Sequence, residues 1–271
     1  MESNNLVIVP FDFTPMAYNA LAHGAYFAKV MDMKLLILNV ALKDRDIPTI
    51  EEKMQFVVEE CYEDYQIKPE YMIRKGIRPY ATIKAIATEL NPELVILKHS
   101  GVRGIKRYTG IRTIKILSGT TIPFVVIQDA PQRATVENII FPINFIKKHN
   151  TKLKQVVYYS QFFQDAVMTI VTPSGKDTEK EKTIKFNIKM LVKAMEEENI
   201  KVRFITHDNN KKNRVEDILH AANEVNADLI ITPAEDVPTI NKFLFGLREE
   251  KLITNKEKIP VLCINSTSSM W

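Results

Sequence analysis

Short apolar runs recur along the chain and alternate with longer stretches in which apolar residues stand three or four positions apart. Residues 6–11 form the first such run, rich in Val and Ile, which reads as a strand buried on both faces of a parallel sheet. Thr14 and Pro15 follow as an N-cap and first-turn pair. The next stretch sets Ala17, Ala20, Leu21, Gly24 and Ala28 on one helical face, and their small size lets that helix lie close to a sheet. The alternation continues with strands at 34–41, 70–75, 94–97 and 124–128. Helices are predicted at 49–65, where Ile50, Met54, Val57, Val58 and Cys61 share a face, at 79–90 and at 105–117.

The pattern then starts again. Val7-Ile8-Val9-Pro10-Phe11-Asp12-Phe13 is echoed by Ile139-Ile140-Phe141-Pro142-Ile143-Asn144-Phe145. Pro92-Glu93-Leu94-Val95-Ile96-Leu97 is echoed by Ala227-Asp228-Leu229-Ile230-Ile231-Thr232, and Ile122-Pro123-Phe124-Val125-Val126-Ile127 by Ile259-Pro260-Val261-Leu262-Cys263-Ile264. Three phrases in one order, at nearly constant offset, predict two copies of one unit. Strands are expected at 139–143, 167–172, 202–206, 229–232 and 261–264, with a helix near 180–198 and charged loops at 174–182 and 208–212. Pro131 interrupts the pattern near 129–136, so the expected domains are 1–132 and 133–271. The fold class is α/β: two tandem doubly wound, Rossmann-like domains with five-stranded parallel sheets.

Length and composition agree with two ordinary domains. The chain has 271 residues, 45% of them hydrophobic and 26% charged. Its net charge of +4 is spread over both halves, too little to point to nucleic acid. No apolar stretch is long enough to span a bilayer, and the first residues lack a basic-then-apolar leader, so no membrane role and a cytoplasmic setting are expected. Cys61 and Cys263 fall in different halves and fit neither a zinc site nor a disulfide framework. His23, His149, His207 and His220 share no metal-ligating spacing. Ser174-Gly175-Lys176-Asp177-Thr178 lacks the earlier glycine of a phosphate-binding loop.

Ligands of doubly wound sheets bind beyond the carboxyl ends of the strands, where strand order reverses. The residues there are Val9-Pro10-Phe11-Asp12-Phe13-Thr14 after the first strand, and His99, Ser100 and Gly101-Val102-Arg103-Gly104 after the fourth. Together with the closing Ile122-Pro123-Phe124-Val125-Val126, these phrases resemble the universal stress protein family in its tandem form, over essentially the full chain. The resemblance implies that Asp12 faces adenine. It also implies that the loop after the fourth strand wraps the phosphates of ATP, through glycines that bring backbone N–H groups close and a helix N-terminus beyond them. Aligned on His99, the family's loop positions are Leu97, Ser100, Gly110 and Ile111 here, and Pro233, Asp236, Gly246 and Leu247 in the second half. The leading glycines and the final hydroxyl are absent from both. Asn144 stands where the aspartate is expected, and Asp236 would set a carboxylate against phosphate.

The expected site is therefore a degenerate nucleotide or anion site in the first domain, built from Asp12, Val40, His99, Ser100, Gly101, Gly104 and Gly110. From 94 to 128 there is no carboxylate, while Lys98, Arg103, Lys106, Arg107, Arg112 and Lys115 are all present, a one-signed segment suited to an anion. No nucleophile or general base has a fixed relation to Asp12, so catalysis has no positive sign. The function expected is a non-catalytic stress-response sensor or scaffold, with a nucleotide, a small anionic metabolite or a protein as partner. The alternative is a genuine ATP-binding protein, with Mg as companion ion and slow hydrolysis. The resemblance further implies an intramolecular pseudo-dimer, with the strands at 124–128 and 261–264 covering each other's apolar edges. Each half expressed alone is then expected to self-associate or aggregate; a well-behaved monomer in sedimentation would contradict the pairing.

Overall fold

The computed structural model describes residues 4–99, 120–143, 150–174, 179–208, 214–233 and 251–264. The chain divides into two compact units, Met1–Pro131 and Gln132–Trp271.

The first unit is an all-parallel sheet in the order β3-β2-β1-β4-β5, from β1 (Asn4–Pro10), β2 (Lys34–Ala41), β3 (Glu70–Lys75), β4 (Pro92–Lys98) and β5 (Phe124–Ile127). Val7, Ile8 and Val9 are fully buried, as are Leu94, Val95 and Ile96, because β1 and β4 are central strands covered by helices. Strand order reverses between β1 and β4, which opens a crevice at their carboxyl ends.

Helix α1 (Pro15–Val30) lies on this centre and buries Ala17, Ala20, Leu21, Gly24 and Ala28. It comes so close that a Cβ on Gly24 would stand 2.4 Å from Val9 Cγ2 and 3.3 Å from Leu35 Cδ1. Helix α2 (Ile47–Tyr65) begins two residues before its expected start, because Pro48 is accommodated in its first turn and Asp46, not Thr49, holds the N-cap position. Helix α3 (Pro79–Leu90) ends in a left-handed Asn91, a residue that tolerates this conformation. The helix expected at 105–117 lies outside the described residues.

The second unit repeats the arrangement. Its parallel order is β10-β9-β6-β7-β8, from β6 (Asn138–Pro142), β7 (Val167–Ser174), β8 (Lys201–Asp208), β9 (Leu229–Pro233) and β10 (Val261–Ile264). Helices α4 (Asn150–Gln161), α5 (Glu179–Glu197) and α6 (Arg214–Glu224) lie among its described residues. Regular structure extends into two of the expected loops. Strand β7 runs on to Ser174 and α5 starts at Glu179, while β8 runs through Asp208, since polar residues at strand ends still join the backbone ladder. Asp228 braces the start of β6: its carboxylate accepts the N–H groups of Glu137 at 2.9 Å and Asn138 at 3.0 Å, and lies 3.4 Å from Arg133.

Candidate functional site

The end of β1 carries one side of the mouth of the first crevice. Phe11 donates its N–H to Leu38 O at 2.8 Å, and buried Asn39 on β2 donates its Nδ2 to Phe11 O, also at 2.8 Å. These two bonds fix the point where the chain leaves the sheet. Phe13 then takes a left-handed φ of 59°, a strained conformation for an aromatic residue. Its ring meets Phe11 edge-on at 5.3 Å, and Lys53 Nζ stands 5.8 Å from its centre. The turn swings Asp12 out over the crevice.

Asp12 does not wait there unpartnered. Its Oδ1 accepts the Thr14 N–H at 3.2 Å and the Thr14 hydroxyl at 2.7 Å. Lys98, the last residue of β4, reaches across from the neighbouring strand to bind the same oxygen, and also donates to Thr14 Oγ1 at 2.6 Å. Thr14 does hold the N-cap position of α1, but its hydroxyl makes no capping bond because the clasp takes it. The Lys98 side chain is only 20% exposed and that of Asp12 55%, so the cation is the more deeply held partner. Burial pushes the Asp12 carboxyl up. The hydrogen bonds from Lys98 and Thr14, with the Lys98 charge, outweigh that and bring it below the usual aspartate value.

His99 follows Lys98. It is buried, its N–H bonds Ile127 O at 2.8 Å, and its Nδ1 has no hydrogen-bond partner among the described residues. Burial holds its imidazole below the ordinary range, hence neutral. Val40 lies half-buried on β2, in register with Arg74 of β3 and one position beyond Asn39. Structure thus brings Asp12, Val40 and His99 to the carboxyl ends of adjacent strands. Ser100, Gly101, Gly104 and Gly110 lie outside the described residues, as do Asn144, Asp236, Gly246 and Leu247 of the second half.

Residues 4–128 match the model of the universal stress protein family. The first unit is a universal stress protein domain. No curated protein matches the chain. Among solved structures it is similar to a universal stress protein from Archaeoglobus fulgidus, at 15% identity, with 98% of each chain covered and a TM-score of 0.72. A functionally unknown protein from Pseudomonas aeruginosa gives 13% identity, 97% and 92% coverage and a TM-score of 0.66. The cytoplasmic domain of a prokaryotic cation chloride cotransporter gives 11%, 99% and 98%, and 0.57. At these identities the likeness is one of fold, and it extends through both units. Among the described residues no helix is long and apolar enough to cross a membrane.

Against the universal stress protein pattern, the residue that sequence reasoning underrated is Lys98. It is one of six cations between 94 and 128. The strand register now singles it out: Lys98 is level with Ile127 on β5, and Pro233 is level with Ile264 on β10. Pro233 therefore corresponds to Lys98 and not, as the alignment on His99 had it, to Leu97. Leu97 is buried within β4. The signal was available in part, because Lys98 follows the apolar run Leu94-Val95-Ile96-Leu97 and a cation there must reach into the crevice or into water.

Proposed function

We propose that the universal stress protein domain of the first unit is a non-catalytic sensor module whose crevice takes a small anionic ligand, a nucleotide phosphate included. The second unit is a degenerate copy without such a site. The observation that carries this reading is the clasp of Lys98, Asp12 and Thr14 at the strand-order reversal. It offers a partly buried cation where an anion would enter, and it occupies the carboxylate oxygen that the family resemblance gives to adenine. A carboxylate held this way is a poor proton acceptor, which favours binding over catalysis. In the second unit Asn144 and Pro233 replace Asp12 and Lys98, and neither can supply the charge.

Thermal unfolding with inorganic phosphate, AMP and ATP with magnesium tests the reading. A ligand at a hundredfold excess over its Kd adds about 2.7 kcal/mol, a shift of several degrees in a chain of this size. Lys98→Ala is expected to weaken phosphate and AMP alike, because it removes the cation that the phosphate group of either would meet. No shift with any of the three at millimolar concentration would remove the proposal. ATP turnover that survives purification and falls in Asp12→Asn would replace it with a slow ATPase.

A further inference from the structure

Helices α2 and α5 hold equivalent places in the two units, and each has 19 residues. Each buries one stripe: Met54, Val57, Val58 and Cys61 on α2, and Asn187, Leu191 and Met195 on α5. The opposite, exposed stripes are related in an unexpected way. On α2 the outward positions i, i+4, i+7 and i+11 are Glu52, Phe56, Glu59 and Glu63. On α5 the same positions are Lys182, Phe186, Lys189 and Lys193. The phenylalanine is kept and the three charges of this stripe are inverted.

Both aromatic rings stand in water. Phe56 is 65% exposed and Phe186 56%, with Met190 beside the latter at 41%. A solvated helix face does not ordinarily carry a large apolar side chain within a ring of charge; around Phe56 that ring is Glu52, Glu59 and Glu60, with Lys53 the one neighbour of opposite sign, turned to Phe13. Two ion pairs on these faces are loose and exposed: Glu59 lies 3.4 Å from Lys68, and Lys193 lies 3.9 Å from Glu197. Pairs of this kind contribute little and exchange readily for others.

We propose that a second copy of this chain docks on these faces, the acidic α2 stripe of one copy against the basic α5 stripe of the other. The two phenylalanines and Met190 supply the apolar centre, and the Glu–Lys contacts form the rim and set the pairing. The i, i+4, i+7, i+11 spacing reads the same from either end, so the outer charges match whether the helices run parallel or antiparallel. Each copy carries both faces, so each can dock on the next. An acidic face on the same chain is the argument for self-docking over an anionic lipid surface, which would use the lysines and leave the α2 stripe unexplained.

Sedimentation of the full chain tests this, with two charge reversals: Lys189→Glu with Lys193→Glu, and Glu59→Lys with Glu63→Lys. The native chain is expected to associate at about 100 μM in low salt and to dissociate as ionic strength rises through the range where the Debye length falls to a few ångströms. Each double variant alone should weaken association at least about tenfold. Their mixture should restore it, because each now offers the face the other lacks. All substituted positions are exposed, and melting curves confirm that the variants fold. A monomeric native chain in low salt, or a mixture that stays monomeric, would overturn the proposal. So would a monomer that instead co-floats with phosphatidylserine vesicles through Lys189 and Lys193.

Discussion

Acidification from neutrality to about pH 4 is expected to cost on the order of 3 kcal/mol of folding stability through His23 alone. His23 is buried on α1, with Nε2 3.1 Å from Asp129 O. Burial drives its pKa down to about 4, against weaker opposing effects of the Asp129 carbonyl and carboxylate. The sign follows from proton counting. Above pH 6.5 the ring is neutral folded or unfolded, and its contribution is complete. Between 6.5 and about 4 the unfolded chain binds a proton that the folded chain refuses, so stability falls as pH falls. Below that window both states are protonated and the loss levels off. His23→Gln keeps a side-chain donor for Asp129 O and removes the titration. Urea unfolding of both proteins across this range should show a steep slope for the native chain and a shallower one for the variant; parallel slopes would refute the assignment.

Gly24→Val is the second large effect, expected to destabilise the first unit by about 3 kcal/mol, at the upper end for overpacking a tight interface. The added atoms would meet Val9 on β1, Leu35 on β2 and Ile96 on β4, the three strands at the centre of the sheet. None is a long flexible side chain that can swing aside. Helix propensity runs the other way: valine is a better helix former than glycine by a few tenths of a kcal/mol. Gly24→Ala should therefore cost less, about 1–2 kcal/mol, since the Cβ clash is offset by nearly 1 kcal/mol of helix propensity. Calorimetric melting of the native chain and both variants gives the order. An alanine variant as stable as the native chain would show that α1 lifts off the sheet without cost.

Residues 23 and 24 illustrate what could be read in advance. The small-residue stripe on α1 was legible because a helix packs at a period that survives in one dimension. What the stripe could not reveal was how near the helix lies, which depends on Val9, Leu35 and Ile96 arriving from three separate strands. His23 carried no sequence signal, since its neighbour in space is Asp129. The candidate site divides in the same way. Asp12 and His99 were expected from their places after strands one and four, and Val40 was named within the second strand. The Lys98 clasp was missed because Asp12 and Lys98 are far apart in the chain and meet only when β1 pairs with β4. Thr14 was rightly placed as a helix cap, yet its hydroxyl serves Asp12, a choice made by whichever partner folding brings closer.

The amino-acid order alone determined that this chain holds two copies of an α/β unit, because alternation of apolar runs with helical stripes is a local property repeated in register. It also determined that the second copy lacks the aspartate of the first. Only the tertiary structure decided which charges meet. Ion pairs, buried imidazoles and close helix contacts depend on distances of a few ångströms between residues remote in sequence, and those distances are set by strand order and not by spacing along the chain.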